Sequence, residues 1–182
     1  LERAGVADDL FDAMSIFAGK LRGGVAIQTI VVAVILAAMS GVMGGEIVML
    51  GLVALPQMLR LGYNRKMSIG LICAAGSLAT LIPPSIIMII YGLAAQVAIG
   101  DLFMAGAVPG VMLASFYGIY VLFRCNLNPS MAPTAEEVGK ARGKEMKLSR
   151  EKMSAVALSI FLIFCVMGSI YGGVATVTEA AS

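Results

Sequence analysis

Glu46 is the side chain whose chemistry stands out, because it is the single charged residue in the apolar stretch 23–59. Inside a membrane an ionisable group costs about 2.5 kcal/mol or more on insertion scales, so such groups usually serve a transport pathway or a partner. The alternative is a carboxylate at a helix N-terminus that backbone N–H groups satisfy. The sequence favours a functional role for Glu46 and leaves the second interpretation open.

Hydroxyl side chains gather at two breaks in the apolar sequence, one rich in glycine and one in proline. Hydroxyl and carbonyl oxygens suit hard cations, and Na⁺ is the usual one in secondary transport. We therefore predict a binding region for a substrate and a cation, with Ser40, Ser77 and Thr80 as the Na⁺ ligands. A single hydroxyl more often bonds a carbonyl of its own helix, so that alternative stays open. The candidate residues are Ser40, Gly41, Gly45, Glu46, Gly76, Ser77, Thr80, Pro83, Pro84 and Ser85.

Several classes of chemistry lack the residues that they need. The chain has no histidine, which excludes histidine metal sites and histidine-centred catalytic triads. Cys73, Cys125 and Cys165 are odd in number and have no CxxC spacing, so we interpret them as unpaired apolar residues. A net charge of +2 without a single basic patch gives no sign of nucleic-acid binding. We predict a protein that is not an enzyme and has no resident cofactor.

The composition places these residues in a membrane. Of the 182 residues, 59% are apolar and 13% charged, where a soluble domain has about 25% charged residues. Four uncharged stretches reach the roughly 18 residues that suggest a span. They are 23–45, which ends just before Glu46, 67–100, 102–123 and 153–178. The sequence predicts an all-α integral membrane protein.

Basic residues indicate the orientation, because those near span ends stay cytoplasmic. They lie before the first apolar stretch, between the first and second, and between the third and fourth. Asp101 and Glu179 belong to the opposite side. Stretch 23–59 therefore enters and leaves by the cytoplasmic face, either as two short spans or as a re-entrant hairpin. Its short arms around Ser40–Gly41 favour the hairpin.

Stretch 67–100 is too long for one straight span, and Pro83 and Pro84 interrupt it. We predict half-helices over about 67–75 and 85–95, whose free carbonyl and N–H ends suit a cation and an anionic substrate. With its return span, this unit covers 67–123; the GxxxG pair Gly106 and Gly110 predicts close helix packing there. The remaining segments are an amphipathic interfacial helix over 1–22, a cytoplasmic linker over 124–152, and a span with the start of a further segment over 153–182.

With both breaks located, the chain resembles the large permease subunit of TRAP transporters, the tripartite ATP-independent periplasmic family. The resemblance covers essentially the whole chain and is most specific from residue 76 to 110. The motifs that carry it are Ser40-Gly41, Ala54-Leu55-Pro56-Gln57-Met58, Gly76-Ser77, Leu81-Ile82-Pro83-Pro84-Ser85, Ile99-Gly100-Asp101-Leu102-Phe103, Pro109-Gly110, Leu127-Asn128-Pro129 and Thr176-Val177-Thr178-Glu179.

The resemblance implies an elevator-type secondary transporter of two inverted repeats, each with a re-entrant hairpin and a broken helix. It implies Na⁺-driven import of small organic anions such as C4-dicarboxylates. It also implies a bacterial inner-membrane location, a small membrane subunit and a periplasmic solute-binding protein as partners. The first hairpin tip would be Ser40-Gly41, and residues 76–85 would form the cation region of the first repeat. Glu46 departs from the family pattern, in which a threonine is common.

Two further expectations follow. The chain begins without a methionine, so we expect a fragment that holds roughly the first repeat. Irregular backbone inside a membrane must be buried against protein or a wet cavity, so the tip at Ser40 and the break at 76–85 should meet in space. A channel-forming or structural membrane subunit without coupled transport is the alternative function.

Overall fold

The computed structural model describes residues 23–128 and 131–133, together with Phe161, Cys165 and Gly168. The part of the chain described is helical and contains no strand. Its elements are α1 (Gly24–Ser40), α2 (Met43–Arg60), α3 (Arg65–Gly76), a 3₁₀ turn (Ser77–Thr80), α4 (Ile86–Ala95) and α5 (Ile99–Leu127). The predicted amphipathic helix 1–22, most of the linker 124–152 and nearly all of the segment 153–182 lie outside the described residues.

Helix α1 is the centre of the packing. Its sequence is apolar around the whole circumference, which is typical of a helix enclosed on all sides. Residues of α1 enter each of three apolar clusters, which contain Leu50 of α2, Leu71 of α3 and Leu78 of the 3₁₀ turn. At its C-terminal end Gly41 has φ 60° and donates its N–H to Ala37 O, the left-handed cap that glycine favours.

Helix α2 turns back beside α1 and has one buried face. Leu50, Ala54 and Met58 point inward at four-residue spacing, whereas Val48 and Leu52 are exposed. The two helices have 17 and 18 residues, a length of about 26 Å each at 1.5 Å per residue. They form a helical hairpin whose tip is the pair Gly41-Val42. Whether this hairpin is re-entrant stays a prediction.

The predicted interruption after α3 is confirmed. Helix α3 begins at the N-cap Asn64, whose side chain accepts hydrogen bonds from Lys66 N and Met67 N. It ends at Gly76, tightens into the 3₁₀ turn and loses helical structure until Ile86. The Pro83–Pro84 peptide bond in this interval is cis. The interruption lies where two successive residues lack the N–H that a helix interior needs.

Helix α5 is the one helix of the described part that is long and apolar enough to cross a membrane. It has 29 residues and continues through Pro109. A Cβ on Gly106 would lie 2.9 Å from Leu81 O, and one on Gly110 would lie 3.1 Å from the Ile82 side chain. The close packing predicted for this glycine pair is therefore confirmed, and its partner is the break between α3 and α4.

Candidate functional site

The hairpin tip and the helix break meet, as the sequence predicted. The backbone N–H of Ile86 donates to the carbonyl oxygen of Gly41 over 3.4 Å. A Cβ on Gly41 would lie 2.7 Å from Pro84 O, closer than real Cβ contacts. Position 41 requires glycine for two reasons. Its φ is in the left-handed region, and the carbonyl oxygen of Pro84 leaves no room for a side chain. Backbone thus contacts backbone at this crossing.

A second close contact holds the hairpin against the end of α3. A Cβ added to Gly76 would overlap the side chain of Ile47, in the second turn of α2. Ile47 follows Glu46 directly, so this contact also holds the first turn of α2, which contains Glu46, near the end of α3 where the break begins. Glycine at the end of α3 allows the two helices to approach this closely.

Three polar side chains near this crossing have buried oxygen atoms without hydrogen-bond partners. They are Ser40 at the tip, Ser85 in the break and Glu46 in the first turn of α2, where both carboxylate oxygens lack a donor. Glu46 is 2% exposed and Ser85 is fully buried. Buried polar groups normally have partners, so each such group requires an explanation. The backbone N–H bond that the alternative interpretation gives to Glu46 is not made within the described residues.

The hydroxyls of Ser77 and Thr80 behave differently. Ser77 Oγ donates to Ala74 O over 2.7 Å, and Thr80 Oγ1 donates to Ser77 O over 2.8 Å. Their hydrogens are used within their own helical turns, while lone pairs remain to accept or coordinate. Gly45 is exposed, and a Cβ there would meet nothing within 4 Å. The geometry thus identifies Ser40, Ser85 and Glu46 as the side chains whose oxygen atoms are free to bind a ligand. Gly45 lies at the surface.

The break adds backbone oxygens to this set. No backbone N–H in the described part of the chain donates to the carbonyl oxygens of Ile82, Pro83 or Pro84. Among these residues there is also no cluster of three or more His, Cys, Asp or Glu side chains. The available chemistry is therefore that of hydroxyl and carbonyl oxygens with one carboxylate, a donor set that suits a hard monovalent or divalent cation.

Two features were not identified from the sequence. The amide oxygen of Gln57, a residue of α2, is buried and has no hydrogen-bond partner. The neighbouring Pro56 of the same motif gave no indication of this. A cavity of about 650 Å³ lies between α3 and α5, with Lys66 and Arg124 in its lining. Phe116 and Tyr120, which precede Arg124 at four-residue spacing, were the available signal for this cavity.

A hairpin tip packed on an interrupted helix, with unpaired oxygens at the crossing, is typical of helical membrane transport proteins. The family model for the tripartite ATP-independent periplasmic transporter, DctM component, matches residues 1–182. The chain belongs to this family of TRAP transporter large permeases, which confirms the resemblance seen in its motifs.

Relatives with known names agree with this assignment. The chain is 34% identical over 98% of its length to the C4-dicarboxylate TRAP transporter large permease protein DctM of Pseudomonas aeruginosa, covering 40% of that protein. It is 34% identical over its whole length to the ectoine TRAP transporter large permease protein TeaC of Halomonas elongata, covering 41% of it. It is 32% identical over 90% of its length to the isethionate TRAP transporter permease protein DctMQ of Oleidesulfovibrio alaskensis, covering 25%. The chain thus spans less than half the length of these relatives.

Proposed function

We propose that this chain forms the first hairpin and broken helix of the large permease subunit of a Na⁺-driven, binding-protein-dependent transporter for small organic anions. The observation that carries the proposal is the crossing at Gly41 and Ile86, which places Ser40 and Ser85 on two elements that contact one another. Unpaired oxygens on two interrupted elements are the usual composition of a transporter site.

For the substrate, the relatives favour a class and not a single compound. They are named for C4-dicarboxylates and isethionate, which are anions, and for ectoine, a zwitterion with one carboxylate. We propose an organic anion of this kind, with C4-dicarboxylates as the first to test. The N–H groups at the start of α4 would favour the negative end of such a substrate.

For the coupling ion, we propose Na⁺ held by oxygens of the crossing. Ser40, Ser85 and the carbonyl oxygens of the break would supply neutral ligands, and Glu46 would supply negative charge. Ser77 and Thr80 could contribute lone pairs while keeping their hydrogen bonds. A buried carboxylate without a donor is costly, and a bound cation would compensate its charge.

The remaining parts of the proposal concern the whole transporter. We propose a multi-pass protein of the bacterial inner membrane, with a re-entrant hairpin, two inverted repeats and elevator-type movement. The hairpin helices, each about 26 Å long, are shorter than the ~30 Å hydrocarbon core, which favours the re-entrant arrangement. The proposed partners are a small TRAP membrane subunit, a periplasmic solute-binding protein and the lipid bilayer. No catalytic step is proposed.

The alternative is a channel-forming or structural subunit without coupled transport. A channel needs a polar lining that continues through the membrane. The unpaired hydroxyl and carboxylate oxygens named here gather instead at one crossing, and this favours a transport site that binds one substrate at a time.

The experiment is uptake by the full-length permease, reconstituted in vesicles with its small subunit and its binding protein. With a labelled C4-dicarboxylate, we expect accumulation that requires an inward Na⁺ gradient and stops when K⁺ replaces Na⁺. Uptake that is unchanged without Na⁺ would contradict the coupling. Equilibration without accumulation would support the channel alternative.

A further inference from the structure

The cavity between α3 and α5 lies apart from the crossing of hairpin and break. It is about 650 Å³, within the range of about 300–1,000 Å³ that small-molecule sites occupy. The structure brings the start of α3 beside the end of α5 here, and Asn64 N donates to Met131 O over 3.0 Å at the same end. The cavity therefore belongs to the end of the molecule where the basic residues lie.

One end of this cavity is positively charged. Lys66 and Arg124 both line it, one from each helix, and neither forms an ion pair within the described residues. Within 23–128 the acidic residues are Glu46, in the first turn of α2, and Asp101, at the far end of α5. Asp101 precedes Arg124 by about 35 Å of helix at 1.5 Å per residue. The two cations are thus available to an anion from outside this part of the chain.

The rest of the cavity is lined mainly by apolar side chains. On α3 the lining includes Met67, Gly70 and Ala74, which follow one helix face away from Lys66. On α5 it includes Phe116 and Tyr120, which lie on the face that leads to Arg124. The two lining faces, 66–74 and 116–124, each cover nine residues, about 12 Å of helix. A ligand that fits has a negative head between the cations and an apolar tail along the groove.

We propose that this groove binds an anionic phospholipid of the cytoplasmic leaflet, with its phosphate between Lys66 and Arg124 and an acyl chain against Gly70 and Ala74. Charge complementarity supports the choice of an anionic lipid, because basic pockets between membrane helices on the cytoplasmic side suit anionic headgroups. Tyr120 lies one helical turn before Arg124, so a headgroup bound at Arg124 would put Tyr120 at the interface between headgroups and hydrocarbon, which tyrosine favours. The site shares no lining residue with the proposed cation region, so it is tested by measuring lipid binding and not by measuring transport.

Native mass spectrometry of the full-length permease with its small subunit tests the site. Phosphatidylglycerol and phosphatidylcholine with the same acyl chains are titrated into the delipidated complex. We expect preferential binding of phosphatidylglycerol, and Lys66→Gln with Arg124→Gln should weaken it about 30-fold, at about fivefold per cation. The matched control is Arg60→Gln with Arg65→Gln, which removes two charges that do not line the cavity and should change the affinity little.

Gly70→Leu separates a lipid from a free anion. A Cβ at Gly70 meets nothing within 4 Å, so the backbone tolerates a side chain there, and a leucine at this lining position would occupy part of the groove. We expect loss of phosphatidylglycerol binding in this variant and little competition by millimolar inorganic phosphate. Equal losses in the two double variants, unchanged binding in Gly70→Leu, displacement by phosphate, or no preference over phosphatidylcholine in the unmodified complex would each overturn the proposal.

Discussion

The backbone N–H of Ile86 donates to the carbonyl oxygen of Gly41 over 3.4 Å, and this hydrogen bond joins the hairpin tip to the first residue of α4. It satisfies one of the N–H groups that a helix start leaves without an intrahelical partner. Because the acceptor is the residue after Ser40, the contact also brings the backbone next to Ser40 to the crossing. Movement of the hairpin away from the break would break this bond.

Gly41→Ala should separate the tip from the break. The new Cβ would lie 2.7 Å from Pro84 O, and the left-handed backbone adds about 1–2 kcal/mol for a residue with a side chain. We expect a lower melting temperature and loss of most uptake. Gly44→Ala is the control, since its Cβ meets nothing within 4 Å and should leave both unchanged. Normal uptake by Gly41→Ala would contradict the role of this contact.

Gly76→Ala should destabilise the contact between α2 and α3 by about 1–3 kcal/mol, because the added methyl overlaps Ile47. Chemical denaturation or thermal unfolding of the purified permease measures the change. Ile47→Ala in the same chain should restore part of the loss by removing the overlapping atoms. Gly70→Ala, on the open side of the same helix, should be neutral or stabilising. Additive effects of the Gly76 and Ile47 changes would show that the contact is unimportant.

Ser85→Ala should raise the Na⁺ concentration for half-maximal uptake by about two- to tenfold, the effect of one lost neutral oxygen ligand. Folding stability should change little, because the hydroxyl makes no hydrogen bond in the described structure. Ser68→Ala is the matched control: Ser68 is equally buried, but its hydroxyl donates to Asn64 O over 3.1 Å. It should lose about 1 kcal/mol of stability and keep its Na⁺ dependence. The reverse pattern would remove Ser85 from the site.

Glu46→Gln should change the Na⁺ or the pH dependence of uptake, because Glu46 is the one buried acidic side chain among the described residues and the change removes its charge while keeping its shape. Asp101→Asn is the control, since Asp101 also lies in the first turn of a helix but is exposed. We expect Asp101→Asn to leave both profiles unchanged. Unchanged profiles in Glu46→Gln would reduce Glu46 to a structural residue.

The cytoplasmic position of the basic end can be measured with single cysteines in a permease whose native cysteines are replaced. Lys66→Cys and Asp101→Cys are both exposed in the structure and lie at the starts of α3 and α5. We expect an impermeant thiol reagent to label position 101 in intact cells, and position 66 after the cells are opened. Labelling of position 66 from outside would contradict the orientation.

The sequence by itself determined the helical interruptions, because the causes are local. Glycine at 41 permits a left-handed turn, and prolines at 83 and 84 lack the N–H of a helix interior. The apolar content likewise indicated a membrane protein before any contact was known, and the order of the motifs indicated the family.

The tertiary structure decided which oxygens are left without partners. Ser77 and Thr80 resemble Ser40 and Ser85 in sequence, but their hydroxyls bond carbonyls three residues earlier in a tightened turn. Ser85 lies where the helix is interrupted, and its partner element is the hairpin tip, more than forty residues earlier in the chain. Lys66 and Arg124, which line the same cavity, are likewise far apart in the sequence. Such contacts depend on how α3 and α5 pack around α1, and a pattern of neighbouring residues carries no information about that packing.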